Sequence, residues 1–574
     1  MDEQEIKQTD LWLLYERGVS FNRLHDIYSD VDRCNRFYNG DQWAGLKSGG
    51  VEPVSFNIIK PIVKYKVGTI NQNLWAINYS NDNFLDQDNK ELLDTTCKML
   101  NKRADQVFEK DNMDYKLRRF SKQAAINGEA IIYVNYDDDA DDPTNELLSI
   151  TDICYGNENS SSIQEQPYII IKSRKPVSAI QKMARDAGVK ESDLELIKSD
   201  NETSEQAGEL AKDEVNDMCI ILTKMYKKDG KVLFSKSTRY LDIETDKDSG
   251  LTYYPLTHML WEEVEGSARG IGEVKYLIPN QIEVNKTIMR RAITVKQTAY
   301  PQKVALVDKI QNPEALTEVG SIIKVLGMNT TDARQILSYT SPAQMSTDAS
   351  QLEKELISTT RELEGAGDIA TGSVNPEDAS GKAILAVQQA SQQPLTEQVL
   401  SLKTAIEDLG RIYIDMWRIY AKNGLQVSYD DTDANNQIVQ KTTFITKDTL
   451  NKLKAKVKVD ITPKSSYDRF AVEQSLENLF LQQKITFEEY VKALPDDSVM
   501  PKKTLEIIVE NRRKAQKQIA SIQQQANSLM NNGNQQIANA EDAQSTIQNI
   551  QQAGNEIAQQ GAQQTTQQTM PQQA

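Results

Sequence analysis

The chain has 574 residues, a formal net charge of −17 and an apolar content near that of globular proteins, so its length indicates more than one packed region. The excess of acidic residues argues against a protein that holds DNA through a general basic surface. There is no run of about 18 apolar residues and no apolar signal core at the N-terminus, so we expect neither a membrane span nor a secretion signal.

The few cysteines and histidines argue against a metal centre. The four cysteines are widely separated in the sequence, at Cys34, Cys97, Cys154 and Cys219. They form no CxxC pair, so reduced structural thiols are expected. His25 and His258 are the two histidines, which leaves little material for a His-ligated metal or a Ser-His triad. We therefore predict no metal and no cofactor.

Three helices are predicted near the N-terminus. The first covers residues 5–32, with candidate buried positions at Leu11, Leu14, Tyr15, Leu24 and Ile27. The segment 36–43 (RFYNGDQW) then predicts a tight turn at its Asn-Gly pair. In the second helix Asn57 is expected to act as the N-cap, and the packed residues are Ile58, Ile62, Val63 and Val67. The third helical pattern covers residues 89–120.

β-branched and aromatic runs predict strands from residue 128 onward. They cover residues 128–136, 147–153, 168–172, 218–226 and 232–235, with a short helix at 176–187. Strands and helices in this arrangement indicate an α+β organisation. The acidic run 137–142 lacks the glycine and terminal glutamate of a calcium loop, so a solvated hairpin turn is favoured over a cation site.

Two long helices with strand-like pieces between them are predicted next. Pro279 would lie in the first turn of one helix, which would end at Tyr300-Pro301, and one face of it would carry Ile282, Asn285, Ile288 or Met289, Ala292 and Val295. The other helix would begin at Thr347, end at Gly365 and carry Leu352, Leu356 and Leu363. The strand-like pieces lie at 303–308, 321–327 and 334–339.

A polar loop at about 368–379 precedes a third long helix. Apolar residues in steps of three and four define this helix, at Val399, Leu402, Ile406, Leu409, Tyr413, Met416 and Tyr420. Such spacing predicts one stripe packed by other helices, and Gly424 should end the helix. Strands are predicted at 425–431, 442–447 and 454–463, and a helix pair at 465–495 with a turn at 484–486. From about residue 515 the chain is rich in Gln, Asn and Ala.

Two segments partly match enzyme motifs, but each lacks residues that the motif requires. The segment 380–383 (SGKA) suggests a phosphate-binding loop, but Pro376 stands where a glycine is required and Ala383 where Ser or Thr is required. Gly270 and Gly272 lack the third glycine of a dinucleotide-binding turn. We therefore predict that the protein is not an enzyme and has no catalytic residues.

Several of these segments resemble portal proteins of tailed double-stranded DNA bacteriophages. The segment 372–384 (GSVNPEDASGKAI), between two long helices, is similar to their tunnel-loop region. Residues 265–301 resemble their descending stem helix, and residues 465–495 resemble the helix pair of their crown. Residues 38–43 and 55–70 are similar to two early portal segments. The resemblance covers most of the chain from about residue 36 to 495.

The resemblance implies a mainly α member of the α+β class, the portal fold, with a wing, a long-helix stem, a small β-containing clip and a helical crown. The implied domains are the wing at 1–264, a stem helix at 265–301, the clip at 302–346, a stem helix at 347–366, the tunnel loop at 367–380, a long wing helix with returning strands at 381–464, the crown at 465–514, and a Gln-rich tail at 515–574 that is barrel-like or disordered.

It also implies a homo-oligomeric ring, of twelve subunits by family resemblance, at one capsid vertex of the virion. The ring would be assembled in the cytoplasm of the bacterial host. A terminase would drive double-stranded DNA through the ring, with its large subunit at the clip, and the DNA would later be ejected. Capsid, scaffold and head-completion or tail adaptor proteins are further implied partners, with no membrane. An acidic channel would repel DNA and let it slide.

Three sets of residues are the candidate functional positions. The DNA-channel set in the tunnel loop is Gly372, Ser373, Val374, Asn375, Glu377, Asp378, Ser380 and Lys382. The stem set, expected to meet the acidic face of a neighbouring subunit, is Lys286, Arg290, Arg291 and Lys296. The subunit-packing set is Val399, Leu402, Ile406, Leu409, Tyr413 and Met416. The alternative function is a non-viral coiled-coil scaffold or adaptor, and a nucleotide-driven motor is disfavoured by the missing phosphate loop.

Overall fold

The structure is a computed structural model. It describes residues 7–43, 53–72, 74–81, 90–199, 217–299, 303–316, 322–326, 337–339, 347–367, 393–421, 424–432, 438–453, 455–462 and 475–494, together with 505, 507–509, 512–513 and 521. The chain divides into two compact units, Met1–Thr462 and Pro463–Ala574.

Helices of the first unit cover most of the segments in which apolar residues recur at helical spacing. In the described residues they are α1 (Asp10–Leu24), α2 (Ile27–Asn39), α3 (Ile59–Ile70), α4 (Lys90–Lys110), α5 (Met113–Asn127), α6 (Val177–Asp186), α7 (Glu273–Ala299), α8 (Thr347–Leu363), α9 (Thr396–Tyr420) and α10 (Lys447–Lys452).

Strands of the first unit pair in antiparallel fashion throughout the described part. They are β1 (Leu74–Asn81), β2 (Glu129–Asp137), β3 (Asp142–Leu148), β4 (Ile153–Tyr155), β5 (Tyr168–Pro176), β6 (Met218–Lys228), β7 (Lys231–Ser237), β8 (Asp242–Asp248), β9 (Leu256–Leu260), β10 (Lys303–Ala305), β11 (Leu337–Tyr339), β12 (Leu425–Thr432), β13 (Ile438–Ile445) and β14 (Ala455–Thr462). The sheet orders are β4-β5-β6-β7-β8, β3-β2-β9, β1-β14, β10-β11 and β12-β13. The α+β class is confirmed.

Two hairpins show how turn chemistry sets the strand ends. Asp229 and Gly230 join β6 to β7 with φ angles of 52° and 77°, the left-handed pair that a two-residue hairpin turn requires. The acidic run closes the β2–β3 hairpin, with Asp137 paired to Asp142 and Asp141 at a φ of 53°. The hairpin predicted for residues 137–142 is therefore confirmed.

The N-terminal helices begin and end differently from the prediction. The single helix expected over 5–32 is two helices, because Asp26 adopts a left-handed conformation (φ 57°) between α1 and α2. Leu24, predicted to be buried, is 79% exposed because it lies at the end of α1. Asn112, at a φ of 50°, likewise divides the helix predicted over 89–120 into α4 and α5.

The core of the first unit is built around α9. Leu402, Leu409 and Tyr413 are at most 1% exposed and pack into one cluster with residues of α3, α5, β2 and β9. At Gly410 a Cβ would lie 2.7 Å from Val457 Cγ1 and 2.9 Å from an Ile77 methyl carbon, so the missing side chain lets α9 approach the β1–β14 sheet.

This burial corrects the predicted subunit-packing set. Five of its six members are buried in the chain's own core: Leu402, Ile406, Leu409, Tyr413 and Met416. Val399 is partly buried against the same cluster. A helical stripe looks the same in sequence whether its partner is a second subunit or the protein's own sheet, and here the partner is internal.

The position of Pro279 is a second correction. The prediction placed it in the first turn, but α7 begins at Glu273 and Pro279 lies inside the helix. Val274 and Leu277, which precede it, are fully buried in the core. Their packing favours helix upstream of the proline, although Pro279 has no N–H to donate to the Lys275 carbonyl. Val295, expected on the packed face, is 60% exposed.

Short strands lie between α7 and α8 in the sequence. β10 pairs with β11, with Val304 opposite Ser338. The middle strand-like piece contributes one isolated bridge in the described residues, between Ile310 and Val325. Two of the three predicted pieces are thus confirmed as strands.

The second unit is a small helical module in its described residues. Helix α11 covers residues 475–481 and helix α12 is Phe487–Ala493. Thr486 and Glu489 form a reciprocal capping box at the start of α12. The Phe480 and Tyr490 rings lie 5.2 Å apart across the turn. The turn predicted at 484–486 between two helices is confirmed.

Candidate functional site: the paired helices and the charges at their base

Helices α7 and α8 pack side by side. α7 has 27 residues and is ~40 Å long. Asn280 Nδ2 donates to Thr360 Oγ1 at 3.4 Å, and Arg291 Nη1 lies 3.1 Å from Glu353 Oε2. From the first contact to the second the residue number rises along α7 and falls along α8, so the two helices are antiparallel.

The four predicted stem cations are exposed side chains of α7, at Lys286, Arg290, Arg291 and Lys296. Within the chain, the Glu283 carboxylate lies 3.2 Å from Lys286 Nζ and 3.6 Å from Arg290 Nη1. Exposed pairs of this kind contribute little to stability, because water and salt screen them. The predicted contact of these cations with a neighbouring subunit stays a prediction.

An apolar face of α8 is left open by α7. Leu352, Leu356, Thr359 and Leu363 follow one another in steps of four, three and four, so they lie on one side of the helix. Leu352 is 50% exposed and Leu363 is 77% exposed. Leu356 between them is half-buried, and exposed leucines beside one another on a helix are typical of an interaction surface. We call these four residues the leucine face.

A buried cluster of charges joins α3, α7 and the end of α8. Lys66 Nζ lies 2.6 Å from Glu273 Oε1 and 2.6 Å from Glu364 Oε2. The indole N–H of Trp261 donates to Glu273 Oε2 at 3.1 Å. The Lys66 and Glu273 side chains are each 10% exposed. Two carboxyl groups therefore share one ammonium group where little water reaches them, and Glu364 directly follows α8.

Sharing one cation changes how the two carboxyl groups titrate. Burial and a hydrogen bond with Glu364 raise the pKa of Glu273 to about 7, against the opposing effect of the Lys66 charge. Burial also raises the pKa of Glu364, but hydrogen bonds from Glu273 and Lys66 outweigh it and leave that pKa lowered. Below about pH 7 the proton therefore lies on Glu273, and Glu364 is the ionised carboxyl group of the two.

We expect Glu273→Gln to change the pH dependence of stability. The unfolded chain has an ordinary glutamate pKa of about 4.3, whereas the pKa of Glu273 in the folded chain is about 7. The folded chain binds more protons between these values, so this contribution to stability is complete below the lower one and is lost as pH rises through the upper one. Glutamine stays neutral and avoids the loss.

The melting temperature of Glu273→Gln relative to the wild type should therefore rise as the buffer changes from about pH 5 to about pH 8. Glu265→Gln, at an exposed position shortly before α7, is the matched control and should show no such trend. Parallel pH profiles for wild type and Glu273→Gln would contradict this account of the cluster.

Buried amides fix the middle of α7 to an extended N-terminal segment. Gln281 Nε2 donates to the Phe56 carbonyl at 2.8 Å, and its Oε1 accepts from the Ile58 N–H at 2.9 Å. Asn285 Nδ2 donates to Gln42 Oε1 at 2.7 Å. Gln281 and Asn285 are 0% and 3% exposed. These amides satisfy backbone groups that would otherwise be buried without partners.

A second buried ion pair lies before α7. The Arg269 guanidinium contacts the Glu129 carboxylate, which also accepts a hydrogen bond from His258 Nε2 at 3.1 Å. Burial raises the pKa of Glu129, but the Arg269 charge and the His258 hydrogen bond outweigh it and hold that pKa below its usual range. At Gly272 a Cβ would lie 2.8 Å from the Gly128 nitrogen. The glycines seen in the sequence thus serve close backbone packing.

The chain matches one known protein family over most of its length. Residues 179–574, about two thirds of the chain, match the family model of the phage P22-like portal protein. The chain belongs to this portal protein family. A search of the curated proteins found no match. The matched range begins inside α6, so the early segments at 38–43 and 55–70 that resemble portals lie outside it.

Membership of the portal family indicates the general role of the protein. Portal proteins are structural, non-enzymatic components of the phage capsid that form a ring. Family membership also replaces the alternative of a non-viral coiled-coil scaffold. None of the helices in the described part of this portal chain has both the length and the apolar character needed to span a bilayer.

The DNA-channel set of this portal chain lies outside the described residues. It comprises Gly372, Ser373, Val374, Asn375, Glu377, Asp378, Ser380 and Lys382. The described range before this set ends at Gly367, three residues after Glu364 of the buried charge cluster. Nowhere in the described ranges do three or more His, Cys, Asp or Glu side chains gather in a way that could hold a metal ion.

Proposed function

We propose that this chain is one subunit of a closed ring, twelve-fold by family resemblance, at a single capsid vertex of a tailed phage. Double-stranded DNA is packaged through the ring by a terminase and later ejected through it, and head-completion or tail proteins attach to it. The portal family match over residues 179–574 is the observation that carries this proposal. The antiparallel α7–α8 pair supports it, because two long helices with short strands between them suit a stem and a clip.

The exposed surfaces of the two helices suggest how neighbouring subunits meet. In a ring each subunit uses two different faces, one toward each neighbour. α8 offers the leucine face with Glu355 and Glu362 exposed beside it, and α7 offers exposed Arg290 and Lys296. We propose that the cationic face of α7 packs on the leucine face of the next subunit, where opposite charges fix the register.

The remaining assignments follow the same proposal. Residues 372–382 face the DNA in the channel, where their glycine and polar residues make weak contacts that let the duplex slide. The clip at 302–346 docks the terminase large subunit. Capsid and scaffold proteins are further partners in this proposal.

Leu363→Glu is expected to prevent ring assembly while leaving the single chain folded. Leu363 is 77% exposed, so the fold loses little when it becomes polar. In the ring the same carboxylate would lose its water at an interface shaped for a leucine side chain, which is strongly unfavourable. Native mass spectrometry of the purified protein measures the ring fraction directly.

Leu92→Glu provides the matched control, since Leu92 is a 56% exposed leucine on α4. We expect rings from the control and from the wild type, and single chains or open oligomers from Leu363→Glu. Rings of normal stoichiometry from Leu363→Glu would remove the leucine face from the proposed interface.

A further inference from the structure

Helices α3 and α5 carry a concentration of positive charge that the whole chain does not share. The chain has 66 basic and 83 acidic residues. α3 and α5 together have one acidic residue, Asp114, and seven basic ones, at Lys60, Lys64, Lys66, Lys116, Arg118, Arg119 and Lys122. The two helices pack against each other. Their shared surface is therefore a basic region on an acidic protein.

Five of these seven cations lie outside the ion pairs that the described residues form. Lys66 belongs to the buried cluster with Glu273 and Glu364, and Lys116 contacts Asp111. The other five, which we call the basic patch, are Lys60, Lys64, Arg118, Arg119 and Lys122. Across the described residues, none of the five makes an ion pair with a carboxylate.

The basic patch is continuous across the two helices. Lys60 Nζ and Lys122 Nζ lie 5.9 Å and 4.9 Å from the centre of the Tyr38 ring, so both cations contact the same aromatic side chain. Lys64 is one turn from Lys60, and Arg118 is one turn from Lys122, which puts each pair on the same helix face. Lys64, Arg118 and Lys122 are exposed.

Acidic side chains of the neighbouring helix α2 and of the turn that follows it are engaged elsewhere. Asp32 and Asp41 lie 3.4 Å and 3.0 Å from the Arg36 guanidinium, and Asp30 lies 2.7 Å from Lys275 Nζ. The charge of the basic patch is thus not offset by these acids.

We propose that the basic patch binds the phosphate backbone of double-stranded DNA without reading its base sequence. Rows of cations one turn apart on helices suit phosphates that repeat along a strand. A protein interface normally has an apolar or aromatic centre. Among the described aromatic residues of α3 and α5, Tyr115 is the exposed one, and its ring already lies under Arg119. Charge without an apolar centre favours DNA over an acidic protein.

The test compares two double charge reversals by fluorescence anisotropy with a labelled duplex of random sequence, on the full chain. Lys60→Glu/Lys122→Glu removes the centre of the patch. Lys182→Glu/Lys190→Glu changes the net charge equally at exposed lysines elsewhere. Wild type should bind with a log–log salt slope of about −4 to −5, as five phosphate contacts require. The patch variant should bind at least about tenfold more weakly at low salt, with a slope shallower by about two.

Equal effects of the two double variants, or no binding by the wild type, would overturn the proposal. Polyglutamate that competes with the duplex at equal charge concentration would overturn it in favour of an acidic protein partner. Lys60→Gln/Lys122→Gln should lose DNA affinity in the same direction but by less. This milder variant keeps the test valid if the charge-reversal variant misfolds. The proposal does not depend on the ring, and native mass spectrometry of the same samples separates lost DNA binding from lost assembly.

Discussion

Leu409→Ala should lower the free energy of unfolding of the single chain by ~2–5 kcal/mol, the range for a leucine removed from a packed core. Leu409 is 1% exposed and packs in the cluster around α9. Alanine leaves a cavity between α9 and the sheets, which a rigid core fills incompletely. Urea unfolding followed by tryptophan fluorescence, at concentrations where the chain is monomeric, measures the change.

Leu400→Ala on the same helix is the matched control, because Leu400 is 56% exposed. Its expected effect is within about 0.5 kcal/mol, as for most surface substitutions. If Leu409→Ala left monomer stability unchanged but abolished rings, the stripe on α9 would be an intersubunit surface after all, and the internal core described above would be wrong.

Lys66→Met is expected to cost ~3–5 kcal/mol, because it leaves two buried carboxyl groups without their cation. Methionine matches the length of the lysine stem, so the change isolates the charge. Some of the loss should be recovered in Lys66→Met/Glu364→Gln, which removes the carboxyl group that is ionised in the wild type. Thermal and urea unfolding of the three proteins provide the comparison.

Lys64→Met, on the same helix, should change stability little, since Lys64 is exposed and makes no ion pair in the described residues. Loss of stability by Lys64→Met as large as that by Lys66→Met would show that the effect comes from the helix and not from the buried charges. If Lys66→Met were as stable as the wild type, the description of the buried charge cluster would be wrong.

Local sequence patterns predicted most elements of the first unit but not their partners. The apolar steps from Val399 to Tyr420 placed α9 correctly, because one helix face repeats every turn. The same steps could not distinguish a neighbouring subunit from the internal sheets, because both present apolar surface. The start of α7 was predicted too late, because Pro279 was expected in the first turn. Packing of Val274 and Leu277 in the core outweighs a proline's preference for a helix start.

The charges at the base of the paired helices could not be predicted from the sequence. Lys66 lies among the apolar residues of α3 and resembles an exposed lysine until its partners are known. Glu364 is 298 positions away along the chain. A pairing at that distance leaves no local signal. The one hint was the position of Lys66 on the same face as Ile62 and Val63, where a solvated lysine is unusual.

Cryo-electron microscopy of the purified protein tests the central claim, that this chain builds a ring around a DNA channel. We expect a closed ring with a central hole, α7 and α8 of each subunit packed against those of its neighbours, and residues 372–382 on the wall of the hole. Particles that remain single chains or dimers at high concentration, or rings that carry residues 372–382 on their outer surface, would contradict it.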